Sequence, residues 1–309
     1  MISQEDKYIG VFVGGCIGDI MGKQTEGLTR HQIRQQFKNG IVTELPKCKR
    51  YTDDTEMTIN LGNYLLKYNI IDIDGLHKYY SDNLTIPNRG YSNATFNILK
   101  KFTLSDKPPK GHSRANGGLM RIAPMSLMQY DNDRMLCIEI EKALWYTHAE
   151  RSSVLICYLH CKLLTYLLKS KEKNITVLFD KIIELSKIDN DIYCKLKICK
   201  FSLITDSKCI TEELTGDINT FQIKAIDALC CAYFTFFKWH NNPLKAVSYA
   251  SSMGGDTDTI AKLVGELCGA YHGYKWIPEK WLSDIENIEI IWGIGKQFYL
   301  NKNKVITTY

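Results

Sequence analysis

Two short stretches of the sequence hold more acid than the start of a helix requires. Residues 51–56 read Tyr-Thr-Asp-Asp-Thr-Glu, and residues 254–259 read Gly-Gly-Asp-Thr-Asp-Thr. An N-cap needs one side-chain oxygen, and one or two acids in the first turn also gain from the helix dipole, so any single aspartate here is explicable as a cap. Each stretch, however, packs carboxylates and threonines directly before an apolar run, and two caps this acidic repel each other if adjacent. A hard divalent cation reverses that repulsion, because Mg²⁺ or Mn²⁺ selects carboxylate, hydroxyl and water oxygens. Asp53, Asp54, Asp256 and Asp258 carry four negative charges against the four positive charges of two such ions, and metals about 3.5–4 Å apart recur in hydrolytic centres. Spacing alone leaves two readings open, a shared metal centre and two independent caps.

Three further features carry chemistry of their own. Gly14, Gly15, Gly18 and Gly22 permit a close backbone approach along the first helix, and Glu26 follows just beyond its end, within reach of a nearby site. Residues 112–121, His-Ser-Arg-Ala-Asn-Gly-Gly-Leu-Met-Arg, form a small-residue loop entering an apolar segment; its backbone N–H groups suit a phosphate, or a plain turn. Thr147-His148 stands at the polar edge of an apolar run, where a lone histidine is either a hydrogen-bonded structural group or a site residue. His31, His77, His160, His240 and His272 show no ligand spacing and read as surface or packing residues.

The elements that must position these residues are helices. Apolar residues recur at helical spacing in nearly every long segment, as in Met57, Leu61, Tyr64, Leu65 and Tyr68, or Ile260, Leu263, Val264, Leu267 and Tyr271. Gly265 and Gly269, four apart in the second of these, predict tight helix packing. Residues 5–21 and 288–298 read as helices, Pro278 opens a short one, and residues 170–217, laced with Lys, Asp and Glu, read as exposed helices and loops. The expectation is an all-α fold in a single domain over residues 1–309. With 45% hydrophobic residues and no Pro/Gly/Ser-rich linker, the chain has ample material for one core.

Composition narrows the function. The net charge of +5 is interspersed rather than gathered into a basic stripe, which argues against direct nucleic-acid binding. Residues 154–168 and 225–237 are apolar but are broken by His160, Lys162 and Asp227; they fall short of the roughly 20 residues of a spanning helix and read as core helices, with no membrane role. The polar, acidic opening residues lack the order of a secretion signal, so the expected location is intracellular and cytoplasmic, with the nucleus left open. Eleven cysteines, an odd number with no Cys-x-x-Cys pair, read as reduced thiols; Cys157 and Cys161 read as small hydrophobes in a helix.

In this order, from the first helix to about Gly273, the segments resemble the ADP-ribosylglycohydrolase family, the group containing dinitrogenase reductase-activating glycohydrolase and the ADP-ribosyl-acceptor hydrolases. Gly18-Asp19-Ile20-Met21-Gly22 with Glu26 matches the family's opening pattern, residues 52–55 its Thr-Asp-Asp-Thr motif, and residues 254–259 its Gly-Gly-Asp-Thr-Asp-Thr motif. The resemblance implies a compact orthogonal helical bundle with a dinuclear site at its centre, where Thr52, Asp53, Asp54, Asp256, Asp258 and Thr259 hold two Mg²⁺ or Mn²⁺ ions. It implies that Glu26 gates the site and acts as acid or base, that Asp54 and Asp258 also position water, and that Ser113, Asn116, Gly117, Gly118 and His148 contact the distal ribose and phosphate of ADP-ribose.

The activity implied is hydrolysis of an O- or N-glycosidic bond at C1″ of ADP-ribose on a protein side chain or small acceptor, by a monomer. The alternatives are a dinuclear phosphoesterase acting on a nucleotide, and a catalytically weak ADP-ribose-binding or crystallin-like structural protein. The chain departs from the family where His112 and Ala115 replace glycines, where Arg114 stands between them, and at Ala149, Glu150 and Arg151 after the Thr-His pair. A left-handed backbone at Ala115 would cost about 1 kcal/mol or somewhat more. Phe221 occupies the place of an adenine-stacking residue in relatives, but as a lone aromatic it reads as core.

Overall fold

The helical periodicity is realised in fourteen α-helices in a computed structural model that describes residues 2–85, 89–130, 132–169, 174–205, 222–302 and 305–306. They are α1 (Gln4–Gly22), α2 (Arg30–Gln36), α3 (Asp53–Tyr68), α4 (Ile73–Asp82), α5 (Asn93–Lys101), α6 (Asp133–Leu144), α7 (Arg151–Lys169), α8 (Thr176–Leu185), α9 (Asn190–Ile204), α10 (Ala225–Trp239), α11 (Pro243–Ala250), α12 (Thr257–His272), α13 (Glu279–Leu282) and α14 (Ile288–Asn301). Among the described residues the strands are a pair of two-residue parallel ones, Gln129–Tyr130 and Val305–Ile306.

The glycines of α1 and α12 explain how the two ends of the chain meet. Along an antiparallel seam, Gly10, Gly14, Gly18 and Gly22 face Gly269, Gly265, Ala261 and Thr257 in turn. A Cβ on Gly14 would lie 2.3 Å from the Gly265 carbonyl oxygen, one on Gly18 2.0 Å from that of Ala261, and one on Gly22 2.2 Å from that of Thr257. The helices therefore touch backbone to backbone, which only missing side chains allow. This contact lays the C-terminal end of α1, with Asp19 and then Glu26, beside the N-terminal end of α12, with Asp256 and Asp258.

Around the seam the buried apolar side chains form one connected cluster. Helices α7 and α10 contribute many of its fully buried side chains, including Cys157 and Cys161, and the ten described cysteines are free thiols. Among the described residues no helix is long and apolar enough to cross a membrane. The expectation of exposed helices over residues 170–217 needs correction: α8 and α9 bury Leu178, Phe179, Ile182, Ile192, Leu196 and Cys199, and Phe179 stacks on Phe237 of α10 at 4.5 Å. Charged residues crowd the outer faces of these helices and mask the apolar spacing of the inner ones. Residues 170–173 and 206–217 of that segment lie outside the described residues.

Candidate active site

The first acidic stretch is held by a residue the sequence reading left out of the site. Asp19, fully buried in the last turns of α1, accepts hydrogen bonds from Thr52 N at 3.1 Å, Thr55 N at 3.1 Å and Thr55 Oγ1 at 2.5 Å. Its carboxylate thus splints α1 to the start of α3, where Thr52 is the N-cap and its hydroxyl accepts from Asp54 N at 3.3 Å. The signal available in sequence was a single acid between Gly18 and Gly22, in the part of α1 that is apolar beyond its charged first turn. Replacing Asp19 with alanine leaves buried N–H donors without a partner, so a loss of about 3 kcal/mol in urea unfolding is expected. Asp19→Asn, whose amide oxygen can still accept from Thr55, retains most of the stability.

The second stretch turns on glycines with left-handed backbone, Gly254 at φ +84° and Gly255 at φ +89°. Gly255 N donates to Leu28 O at 2.9 Å and its carbonyl accepts from Gly27 N at 2.8 Å, which ties this turn to the segment carrying Glu26. A Cβ on Gly255 would sit 1.8 Å from Gln222 Oε1, the oxygen that accepts from Asp256 N at 3.1 Å. Gln222, buried and far from Asp256 in sequence, carries no local signal of this role. At the helix start Thr257 Oγ1 donates to Gly22 O at 2.9 Å and Asp258 Oδ1 accepts from Thr259 N at 2.9 Å.

Both stretches border one cleft of about 210 Å³. Of the residues singled out in the sequence, Glu26, Asp53, Asp54, Asn116, Gly117, His148, Asp256, Asp258 and Thr259 line it, together with Gly90, Ser92 and Thr95. Thr52, Ser113 and Gly118 do not. Thr52 caps α3 next to Asp53 and Asp54, Ser113 Oγ accepts from Ala115 N at 3.2 Å within the loop, and Gly118 makes room for the His148 and Leu144 side chains.

The loop carries no backbone strain where its glycines are replaced. No residue from 112 to 118 has a positive φ, so Ala115 avoids the left-handed backbone. Instead residues 114–116 pair with 223–225: Asn116 N donates to Ile223 O at 2.8 Å and Ala225 N to Arg114 O at 3.0 Å. Asn116 Nδ2 then reaches Asp256 Oδ2 at 2.5 Å. Arg114 is mostly exposed and meets Glu150 at 3.3 Å, away from the cleft. Arg121, which the sequence reading passed over, is fully buried and donates to Gly117 O at 2.9 Å and Thr147 Oγ1 at 2.6 Å, locking the loop to the Thr-His pair. Burial, with the Arg121 charge beside it, pushes the His148 imidazole down to about 3, so it stays neutral at physiological pH. Phe221 lies outside the described residues.

Electrostatics set the character of the cleft. Burial, then the neighbouring charges of Asp19, Glu26 and Asp256, pushes the Asp53 carboxyl up to about 8. Burial raises Asp54, Asp258 and Glu26 in the same direction, each reinforced by neighbouring acids. Asp54 Oδ2 is buried with no hydrogen-bond partner among the described residues. The side chains stand around the cleft: among the described residues no group of three acids, histidines or cysteines already closes on one ion. The donors are carboxylate and hydroxyl oxygens, and an orphaned carboxylate oxygen among uncompensated acids fits a hard divalent cation.

A carboxyl raised on folding, such as Asp53, favours the folded state fully below its unfolded value near 4, and that contribution is lost as pH climbs through about 8. The expected result is that thermal unfolding measured in chelator drops across this window, and that added Mg²⁺ flattens the profile.

Residues 1–305 match the family model described as ADP-ribosylglycohydrolase, and the chain belongs to that family. Human ADP-ribosylhydrolase ARH3 is 25% identical over 329 residues, covering 92% of this chain and 90% of its own length. The ADP-ribosylarginine hydrolase Tri1 of Serratia proteamaculans is 22% identical, covering 95% of this chain and 79% of its own. A solved structure described as an ADP-ribosylglycohydrolase-related protein complex aligns with a TM-score of 0.72 at 23% identity, covering 98% of this chain and 100% of that one, which shows the shared fold. The all-α expectation is borne out. The family and these relatives support an ADP-ribosyl hydrolase activity, and members of the family use divalent metals.

Proposed function

We propose that this protein hydrolyses the glycosidic bond at C1″ of ADP-ribose joined to a protein side chain or small acceptor, releasing ADP-ribose, with two divalent cations in the cleft. One observation carries the reading: aspartates from opposite ends of the chain, Asp53 and Asp54 with Asp256 and Asp258, border the same small cleft as Asn116, Gly117 and His148. Asp53, Asp54, Asp256, Asp258 and Thr259, which line the cleft, would hold Mg²⁺ or Mn²⁺, together with Thr52 at the cap of α3 beside them. When bound, such ions orient the ribose hydroxyls and polarise a water.

The chain's own groups do the rest. Glycosidic cleavage develops positive charge at C1″, which the cleft carboxylates stabilise. Glu26, in the turn that follows α1 and outside the splint that occupies Asp19, gives a proton to the departing oxygen or nitrogen and takes one from water. Asp54 and Asp258 hold that water in line. Neutral His148, the Asn116 side chain and the Gly117 backbone N–H orient the ribose and diphosphate without adding charge, while Ser113 and Gly118 act by shaping the loop. Acceptor choice resides in Ser92 and Thr95, which line the cleft, and in the loops carrying Arg114 and Glu150 outside it.

The test is a panel of serine-, arginine- and poly-ADP-ribosylated substrates with Mg²⁺ or Mn²⁺, before and after chelation. Intact ADP-ribose released only with metal supports the reading. Release of AMP or phosphate indicates a phosphoesterase, ADP-ribose binding without turnover indicates a binding protein, and activity surviving thorough chelation removes the metal model.

A further inference from the structure

Asp258, Lys262 and Glu266 follow one another at four-residue intervals along α12, so they share one face of the helix. The first lines the cleft, and the other two lie beneath it, each 1% exposed. Lys262 Nζ donates to Glu266 Oε1, and the other Glu266 oxygen faces His160 Nε2 of α7 at 3.0 Å. His160 is itself fully buried and stacks on Tyr233 of α10, ring centroids 6.2 Å apart. Gly15 on α1 makes the space: a Cβ there would stand 2.9 Å from Glu266 Cγ and 3.5 Å from Lys262 Nζ.

No step of the proposed reaction uses Lys262, Glu266 or His160, and apolar side chains would fill the same volume at lower desolvation cost. The pair is oriented. The Lys262 charge acts on Asp19 and Cys16 of α1 and on Asp54 of α3, whereas Glu266 turns toward His160 and acts on Cys161 of α7. We propose that Lys262 and Glu266, steadied by His160, form a built-in dipole whose positive end lies beneath the acid cleft and sets its affinity for divalent cations. Both are positioning residues, and the inference rests on the metal-centre reading. A fixed ammonium under the carboxylates lowers their mutual repulsion when the cleft holds less metal, and weakens the attraction for each further cation.

The test is Mn²⁺ binding by calorimetry on the full chain, at a pH high enough that affinity has stopped changing with pH. Glu266→Gln leaves Lys262 without its partner beneath the carboxylates and is expected to weaken binding about tenfold. Lys262→Met removes the positive end and is expected to tighten it about tenfold. A role confined to core packing moves both in the same direction. Shifts of the same sign, or below about twofold in both, therefore overturn the inference. If Lys262→Met does not fold, Lys262→Met/Glu266→Leu leaves no lone charge and carries the same expectation of tightening, which an unchanged affinity would overturn. Absence of Mn²⁺ binding by the unaltered protein removes the metal centre and this inference with it, whereas binding with same-sign shifts removes the inference alone.

Discussion

Asp54→Ala is expected to lower turnover at least about 100-fold while making the metal-free protein more stable. The two effects share one cause. Asp54 is buried among Asp19, Asp53 and Asp256, and one of its oxygens has no hydrogen-bond partner among the described residues. Without a cation that carboxyl is a cost of roughly 1–3 kcal/mol in unsatisfied polarity and repulsion, and alanine relieves part of it. With cations bound the same group becomes a ligand, and its loss weakens the centre. The rival view, that Asp54 merely adds to the N-terminus of α3, predicts the opposite sign: alanine there would cost about 0.3–1 kcal/mol of dipole stabilisation and leave metal binding unchanged. Unfolding in chelator, unfolding in Mg²⁺ and turnover, measured on the same variant, separate the two. Asp258→Ala is expected to behave likewise, because burial and the neighbouring acids Asp256, Asp54 and Glu26 raise it in the same way.

Gly18→Ala is expected to destabilise the protein by about 3 kcal/mol, although alanine favours helix over glycine by about 1 kcal/mol. The added Cβ would lie 2.0 Å from Ala261 O and 2.4 Å from Ala261 C, both backbone atoms that no rotamer change can move away. The seam must open by an ångström or more, which also separates Thr257 from Gly22 and the turn at Gly255 from Gly27. Mn²⁺ affinity should therefore fall together with the urea midpoint. Gly293→Ala on α14 is the control, since nothing lies within 4 Å of the added atom. There the propensity term stands alone, and a gain of about 0.5–1 kcal/mol is expected.

These two residues also mark how far the sequence could be read. The helices were legible because burial imposes a 3.6-residue period that depends only on neighbours in the chain, and the periodic runs in α3, α12 and α14 fall where the spacing put them. The acidic stretches were legible because they exceed what a cap uses. Asp19 and Arg121 were harder: each is a single charged residue whose meaning lies in partners on other elements, Thr52 and Thr55 for one, Gly117 and Thr147 for the other. Gln222 offered nothing, because its contact to Asp256 spans 34 residues and involves a backbone donor that every residue has. The exposure of α8 and α9 was misjudged because surface charge hid a narrow apolar stripe.

By itself, then, the sequence determined that the chain is helical, where its glycines forbid side chains, and that oxygen donors cluster at two separate helix starts. Whether those clusters meet was decided by the tertiary structure, through the antiparallel packing of α1 on α12 and the Asp19 bridge to α3. The physical reason is one of range. Propensity, capping and periodicity act within a turn or two of helix, whereas carboxylates brought together over a separation of some two hundred residues acquire their shared electrostatics only after the helices between them have packed.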